Sequence, residues 1–152
     1  MDSESRHGPA AAALYGLLAA LLRHTPRDLS LTALATLATL ERTGPRRITE
    51  LAVIEGVAQP SMTNLVSNLE REGLVERRSD PDDKRVALAA ITDKGANYVR
   101  SRRRLGTESL EQLLDKLSEA ESTALTGAVE ALTHLRLLDE EERDPAQSPY
   151  CP

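Results

Sequence analysis

The stretch that decides the fold is "GLVERRSDPDDKRVALAAIT", Gly73–Thr92. Two runs, "LVERR" and "VALAAIT", flank a tip, "SDPDDK", crowded with charges of both signs. Val75–Arg78 and Val86–Ile91 read as two strands joined by a Pro-Asp turn, because proline presets the turn dihedral and aspartate bonds the backbone ahead of it. The result is a β-hairpin with a charged end. Arg85 stands directly after that tip, with Lys84 and Asp83 before it.

What precedes the hairpin gives it a context. Thr49 can cap a short helix, "ELAVIE", that Gly56 ends. After "GVAQ", Pro60 suits the first turn of a second helix, "PSMTNLVSNLERE", with Gly73 just past its end. Proline at the start and glycine at the stop is the expected asymmetry of a helix. Two short helices across a tight turn make a helix-turn-helix, and the hairpin that follows makes it winged. Met62, Leu65, Val66 and Leu69 form the apolar stripe of the second helix, and Ser61, Thr63, Asn64, Ser67 and Asn68 lie largely off it. Hydroxyls can bond phosphate or a base edge, and asparagine can bond adenine N6 and N7 together. On the wing, arginine is long, planar and always charged, so Arg85 can enter a narrow, electronegative minor groove. Asp83, two residues earlier, can hold its guanidinium, and Lys84 can touch phosphate.

Charge agrees with that placement. Residues 41–104 carry thirteen basic against ten acidic side chains, and residues 105–152 carry three against eleven. The formal net charge of the chain is −5. With a Debye length of about 8 Å at physiological salt, the local sign governs contact with a polyanion.

The flanks read as helices. Leu14, Leu17, Leu18, Leu21 and Leu22 fall at helical spacing, and Pro26 ends that segment. A second helix, Leu31–Arg42, follows Ser30 as N-cap and is apolar on most sides, so it should be buried. Thr92 can cap a long fifth helix reaching Leu117. A sixth runs from Ser118 to Glu142, opened by the capping-box pair Ser118 and Glu121. Phe and Trp are absent, so aliphatic residues must fill the core. The scattered histidines make no ligand spacing, and the one cysteine, Cys151, excludes an internal disulfide. No Ser/His/Asp arrangement or Gly-rich phosphate loop appears, so neither an enzyme nor a metal or cofactor is expected. The N-terminus lacks a signal-like run, and "AAALYGLLAALLRH" is too short to span a bilayer, so the expected location is cytoplasmic with no membrane partner.

"LEREGLVERRSDPDDKR" and "ITDKG", within Ile48–Gly95, resemble the winged helix-turn-helix of the MarR family of bacterial transcriptional regulators. The first matches the family's run from recognition helix into wing, with its Asp-x-Arg at Asp83, Lys84 and Arg85. The second matches the family's Leu-Thr-x-x-Gly start of helix five. The resemblance implies a homodimer on a pseudo-palindromic operator, with helix four in the major groove, the wing arginine in the minor groove and the terminal helices at the dimer interface. It also implies a small phenolic or anionic effector between the dimerisation helices and the winged domain, for which Leu17, Leu21, Leu34, Tyr98 and Arg102 are wall candidates. Two positions depart from the family's habit. Gln59 replaces the serine before the helix-four proline, which weakens the cap and leaves Gln59 able to read a base. Asn64 replaces a frequent arginine.

The expected architecture is mainly α with a small β-wing. Residues 1–29 should form a dimerisation helix, 30–92 the DNA-binding domain, 93–142 the C-terminal dimerisation helices and 143–152 a disordered tail. The expected activity is sequence-specific binding of double-stranded DNA, as a repressor released by an effector. The competing reading is a helical dimeric interaction module without DNA affinity, which the overall acidity favours. "RSRRR", Arg100–Arg104, reads first as a solvated face or a source of intersubunit ion pairs. Cys151, far from predicted packing, should not be a redox switch.

Overall fold

The structure, a computed structural model, describes residues 6–24 and 28–143. Cys151, the tail from residue 144 and Pro26 lie outside the described residues. The elements in chain order are α1 (Gly8–His24), α2 (Leu31–Thr43), β1 (Arg46–Arg47), α3 (Ile48–Ile54), α4 (Gln59–Arg71), β2 (Val75–Ser79), β3 (Ala87–Ile91), α5 (Asp93–Leu114), α6 (Glu119–Gly127) and α7 (Val129–Arg143). The strands form an antiparallel sheet in the order β1-β3-β2, with Val75 opposite Ile91 and Arg47 opposite Leu88. The mainly α fold with a β-wing is as the sequence implies.

The core sits inside the winged region. Leu37 and Leu40 of α2, Leu51 of α3, and Met62, Val66 and Leu69 of α4 are buried together with Leu74, Val75, Ala89 and Val99. Ser30 caps α2, accepting from the Ala33 N–H. Both helices of the helix-turn-helix end in the same way. Gly56 and Gly73 take positive φ, and the residue after each bonds back to the helix, Val57 N–H to Ala52 O and Leu74 N–H to Leu69 O. This is the Schellman stop, in which a left-handed residue satisfies carbonyls that the helix leaves orphaned. It turns the chain sharply between α3 and α4 and again into the wing.

Several boundaries differ from the sequence reading. Thr49 lies inside α3, and Arg47 holds the N-cap position, with its N–H donating to Glu50 Oε2 at 3.0 Å. The pairing of β1 with β3 keeps the chain extended up to Arg47, so the helix starts at once after it. Ala58, not Gln59, is the N-cap of α4, and no side chain caps that helix. Val86 belongs to the wing tip, because its N–H bonds Asp83 O. The fifth helix stops at Leu114, after which Lys116 and Leu117 make turn bonds to Leu113 and Leu114. The single sixth helix is instead two. Gly127, the poorest helix former short of proline, ends α6, and the Ala128 N–H falls back on Leu125 O in a tighter turn. The Ser118–Glu121 capping box opens α6 as expected. Arg143, placed in the tail by the sequence reading, is the last residue of α7 and pairs with Asp139 at 3.0 Å.

Candidate nucleic-acid interface

Helix α4 presents two chemically distinct sides. Met62, Val66 and Leu69 are buried, while Gln59, Ser61, Asn64 and Asn68 are exposed and Thr63 and Ser67 are half-buried. Thr63 Oγ1 donates to Gln59 O at 2.9 Å, and Asn68 accepts from Arg71. The free side is thus small, polar and able to donate and accept. None of the six candidates on this helix belongs to its buried stripe.

The wing is tied to α4 at its base. Arg77 Nε donates to Glu70 Oε2 at 3.1 Å, and its Nη2 donates to Ser67 Oγ at 3.3 Å. The first turn of α5 completes the junction. Thr92 Oγ1 donates to Gly73 O and accepts from the Gly95 N–H, the Thr92 N–H donates to Leu74 O, and Lys94 Nζ donates to Glu72 O. Three successive carbonyls just past α4, those of Glu72, Gly73 and Leu74, are satisfied this way.

At the tip, the Arg85 side chain is 94% accessible. Asp83 pairs with its guanidinium at 3.5 Å and accepts from its backbone N–H at 3.0 Å. Lys84 is exposed between them. Two residues at the wing escaped the sequence reading. Asp80 is buried, 6% accessible, and accepts from Arg47 Nη2 at 2.8 Å. The Arg47 hydrogen bond, reinforced by the Asp82 N–H, holds the Asp80 carboxyl below the usual carboxylate range. The signal was present as Asp-Pro-Asp, a turn in which the first aspartate bonds the backbone two residues on.

The effector candidates are only partly brought together. Tyr98 and Arg102 lie one turn apart on α5, and Arg102 Nε donates to the Tyr98 hydroxyl at 3.1 Å, its guanidinium 5.3 Å from the ring centre. Both contact the carboxylate of Asp28. Leu17 is exposed, and Leu21 and Leu34 are half-buried. None of these five lines a cleft of about 1040 Å³ between α2, α3 and α7, whose walls include Thr39, Arg42, Glu55, Arg136 and Arg143. The Arg100–Arg104 cluster pairs within the chain, Arg100 and Arg103 with Glu41 of α2 and Arg104 with Glu108.

Glu55 stands half-buried in that cleft and accepts from Thr39 Oγ1 at 2.8 Å. Burial pushes its carboxyl above the usual range, and the Thr39 bond and the charges of Arg143 and Arg42 oppose the shift. A carboxyl whose folded pKa is raised favours the fold below its unfolded pKa and loses that contribution as pH rises through the folded value. Glu55→Gln keeps an acceptor for Thr39 and removes the buried charge. It is expected to raise the melting temperature near pH 7 and to lose that gain below about pH 4. Thermal melts across that range check it.

Among the described residues no group of His, Cys, Asp and Glu could hold a metal ion, and no helix is long and apolar enough to cross a membrane. Comparison with known proteins supports the winged reading. The MarR family model matches residues 29–87. The HTH-type transcriptional regulator MT0903.1 of Mycobacterium tuberculosis is 34% identical over 118 residues, covering 78% of this chain and 81% of that protein. RV1404 of Mycobacterium tuberculosis superposes with a TM-score of 0.75 at 24% identity, over 90% of this chain and 95% of that one. A MepR variant of Staphylococcus aureus, solved bound to an oligodeoxyribonucleotide, superposes with a TM-score of 0.63 at 22% identity, over 82% of this chain and 97% of that one. With a polar free side on α4, an arginine-tipped wing and these relatives, the chain belongs to the MarR family of transcriptional regulators, which carry a DNA-binding helix-turn-helix.

Proposed function

We propose that the chain represses transcription as a homodimer on a pseudo-palindromic operator and that a small phenolic or anionic effector releases it. The observation that carries the DNA half is the free side of α4, polar and uncovered beside a wing whose arginine is held outward by Asp83. In this reading Gln59, Ser61, Thr63, Asn64, Ser67 and Asn68 face the major groove, and Asp83, Lys84 and Arg85 serve the minor groove and its phosphates. Residues 30–92 are the DNA-binding unit, and residues 1–29 and 93–142 serve dimerisation.

The helices outside the winged core support the dimer. Leu14, Leu17 and Leu18 on α1, Leu105, Leu113 and Leu114 on α5, Leu125 on α6 and Val129, Leu132, Leu135, Leu137 and Leu138 on α7 are all exposed. So many aliphatic side chains in water imply a partner surface, and a two-fold pair is the commonest solution. Sedimentation at micromolar concentration is expected to give about twice 16.6 kDa. A clean monomer would remove both the dimer and the palindrome.

For the effector, Tyr98 and Arg102 with Leu17, Leu21 and Leu34 form the proposed wall. Asp28 now engages Arg102, so a carboxylate effector would compete with it. The decisive experiment is selection of bound sequences from a random duplex pool, followed by titration of the selected duplex with and without a simple hydroxybenzoate. Inverted repeats and hydroxybenzoate-weakened binding are the expected results. No enrichment would overturn the DNA half, and enrichment without any response to hydroxybenzoate would overturn the phenolic-effector half.

A further inference from the structure

We infer that Asp80 is a positioning residue for the wing, acting through Arg47 to set where Arg85 stands relative to α4. The inference rests on the reading of the wing as a DNA-contacting arm. It begins with the sheet order. Strand β3 lies between β1 and β2, so Arg47 occupies one edge and Asp80 follows the end of the other. The Arg47–Asp80 pair, 2.8 Å long, therefore straddles the central strand and joins the two edges at the tip.

The carboxylate is well suited to that task. It is buried, and each oxygen has a separate partner, Asp82 N–H on Oδ1 and Arg47 Nη2 on Oδ2. Its own N–H bonds Val86 O and closes the tip. Arg85, by contrast, has Asp83 as its ion-pair partner, and Asp83 belongs to the same tip. That pair orients the guanidinium within the tip and does nothing to place the tip. The Arg77 bonds tie the base of the wing to α4, and at the tip end placement comes from Arg47, which stands at the N-cap of α3, and α3 packs on α4. The chain of contacts runs from Arg85 through the tip to Asp80, Arg47, α3 and α4. It sets the distance between the arm in one groove and the helix in the next.

The test is a double-mutant cycle read by fluorescence titration of the full chain on the selected operator and on random duplex. Arg85→Ala, Asp80→Asn and the double variant are compared, with thermal melts of each. Asparagine keeps the shape and the acceptor for Asp82, so the tip can still close. Asp80→Asn is expected to lower operator affinity about tenfold, yet by less than about twofold when Arg85 is already alanine. Arg47→Gln should behave as Asp80→Asn does, and Arg47→Lys should restore most of the affinity, since one N–H to one oxygen suffices. Additive losses in the cycle would overturn the inference and make the pair a stability contact only. The same holds for parental affinity in Asp80→Asn or for an unrescued Arg47→Lys. If Arg85→Ala itself binds both duplexes as the parent does, the wing reading fails and the inference falls with it. If Asp80→Asn does not fold, the Arg47 variants carry the same comparison.

Discussion

Gly95→Ala is expected to destabilise the winged region by about 3 kcal/mol, roughly 6–12 °C in melting temperature. A Cβ built at Gly95 would stand 2.2 Å from the carbonyl oxygen of Leu74 and 2.8 Å from Ile91 Cγ1. The side-chain carbon of Ile91 can move. The Leu74 carbonyl cannot move freely, because it accepts the Thr92 N–H and follows the end of α4 directly. The close approach of α5 to that backbone is what lets Thr92 and Lys94 reach the carbonyls just past α4. An alanine there pushes α5 away and loosens both. Gly106→Ala, in the same helix, is the control. Nothing lies within 4 Å of its Cβ position, so the gain in helix propensity of about 0.5–1 kcal/mol should show in the melt. A Gly95→Ala protein that melts with the parent would mean that α5 does not approach Leu74 as described.

The second large effect is expected on DNA. Arg85→Ala should cost roughly 1–3 kcal/mol of operator binding and relax the preference for a narrow, A·T-rich flank. Lys84→Ala should weaken binding about equally on all sequences and lower the salt slope by about one per subunit. Asn64→Ala should change which bases are preferred within each half-site, since its amide stands exposed on the free side of α4. Titrations on operator and random duplex at several salt concentrations separate the three. The distinction is physical: a phosphate contact releases counterions on any duplex, whereas a groove contact depends on sequence or shape. Parental binding by Arg85→Ala on both duplexes would leave the wing as a solvated turn.

How much of this was readable in the chain follows from the reach of each signal. Gly56, Pro60, Gly73 and Pro81 punctuate the winged region, and each is where a local backbone constraint acts, so α3, α4 and the hairpin could be placed from sequence. The polar side of α4 was legible because the apolar positions Met62, Val66 and Leu69 keep helical spacing. Strand β1 was not, since two residues cannot show alternation and its partner lies about forty positions on. The break at Gly127 was hidden because apolar residues continue on both sides of it. Asp80 was hidden for another reason. A charged residue in a turn reads as solvated, and its burial depends on Arg47, 33 positions away. The Arg100–Arg104 cluster is similar: its partner Glu41 lies on another helix, so sequence favoured solvent or a second subunit where the fold supplies α2.

The small sheet has a further consequence. A three-stranded sheet has two open edges, and either could recruit a strand from another chain. Here one edge is β1, only two residues long and both arginine, and the other is β2, which reads Glu76, Arg77, Arg78 after its buried valine. Short edges of charged side chains, most of them already paired within the chain, resist the flat strand-on-strand growth that leads to aggregates. In a crowded solution such edges keep winged regions from sticking to one another through their sheets.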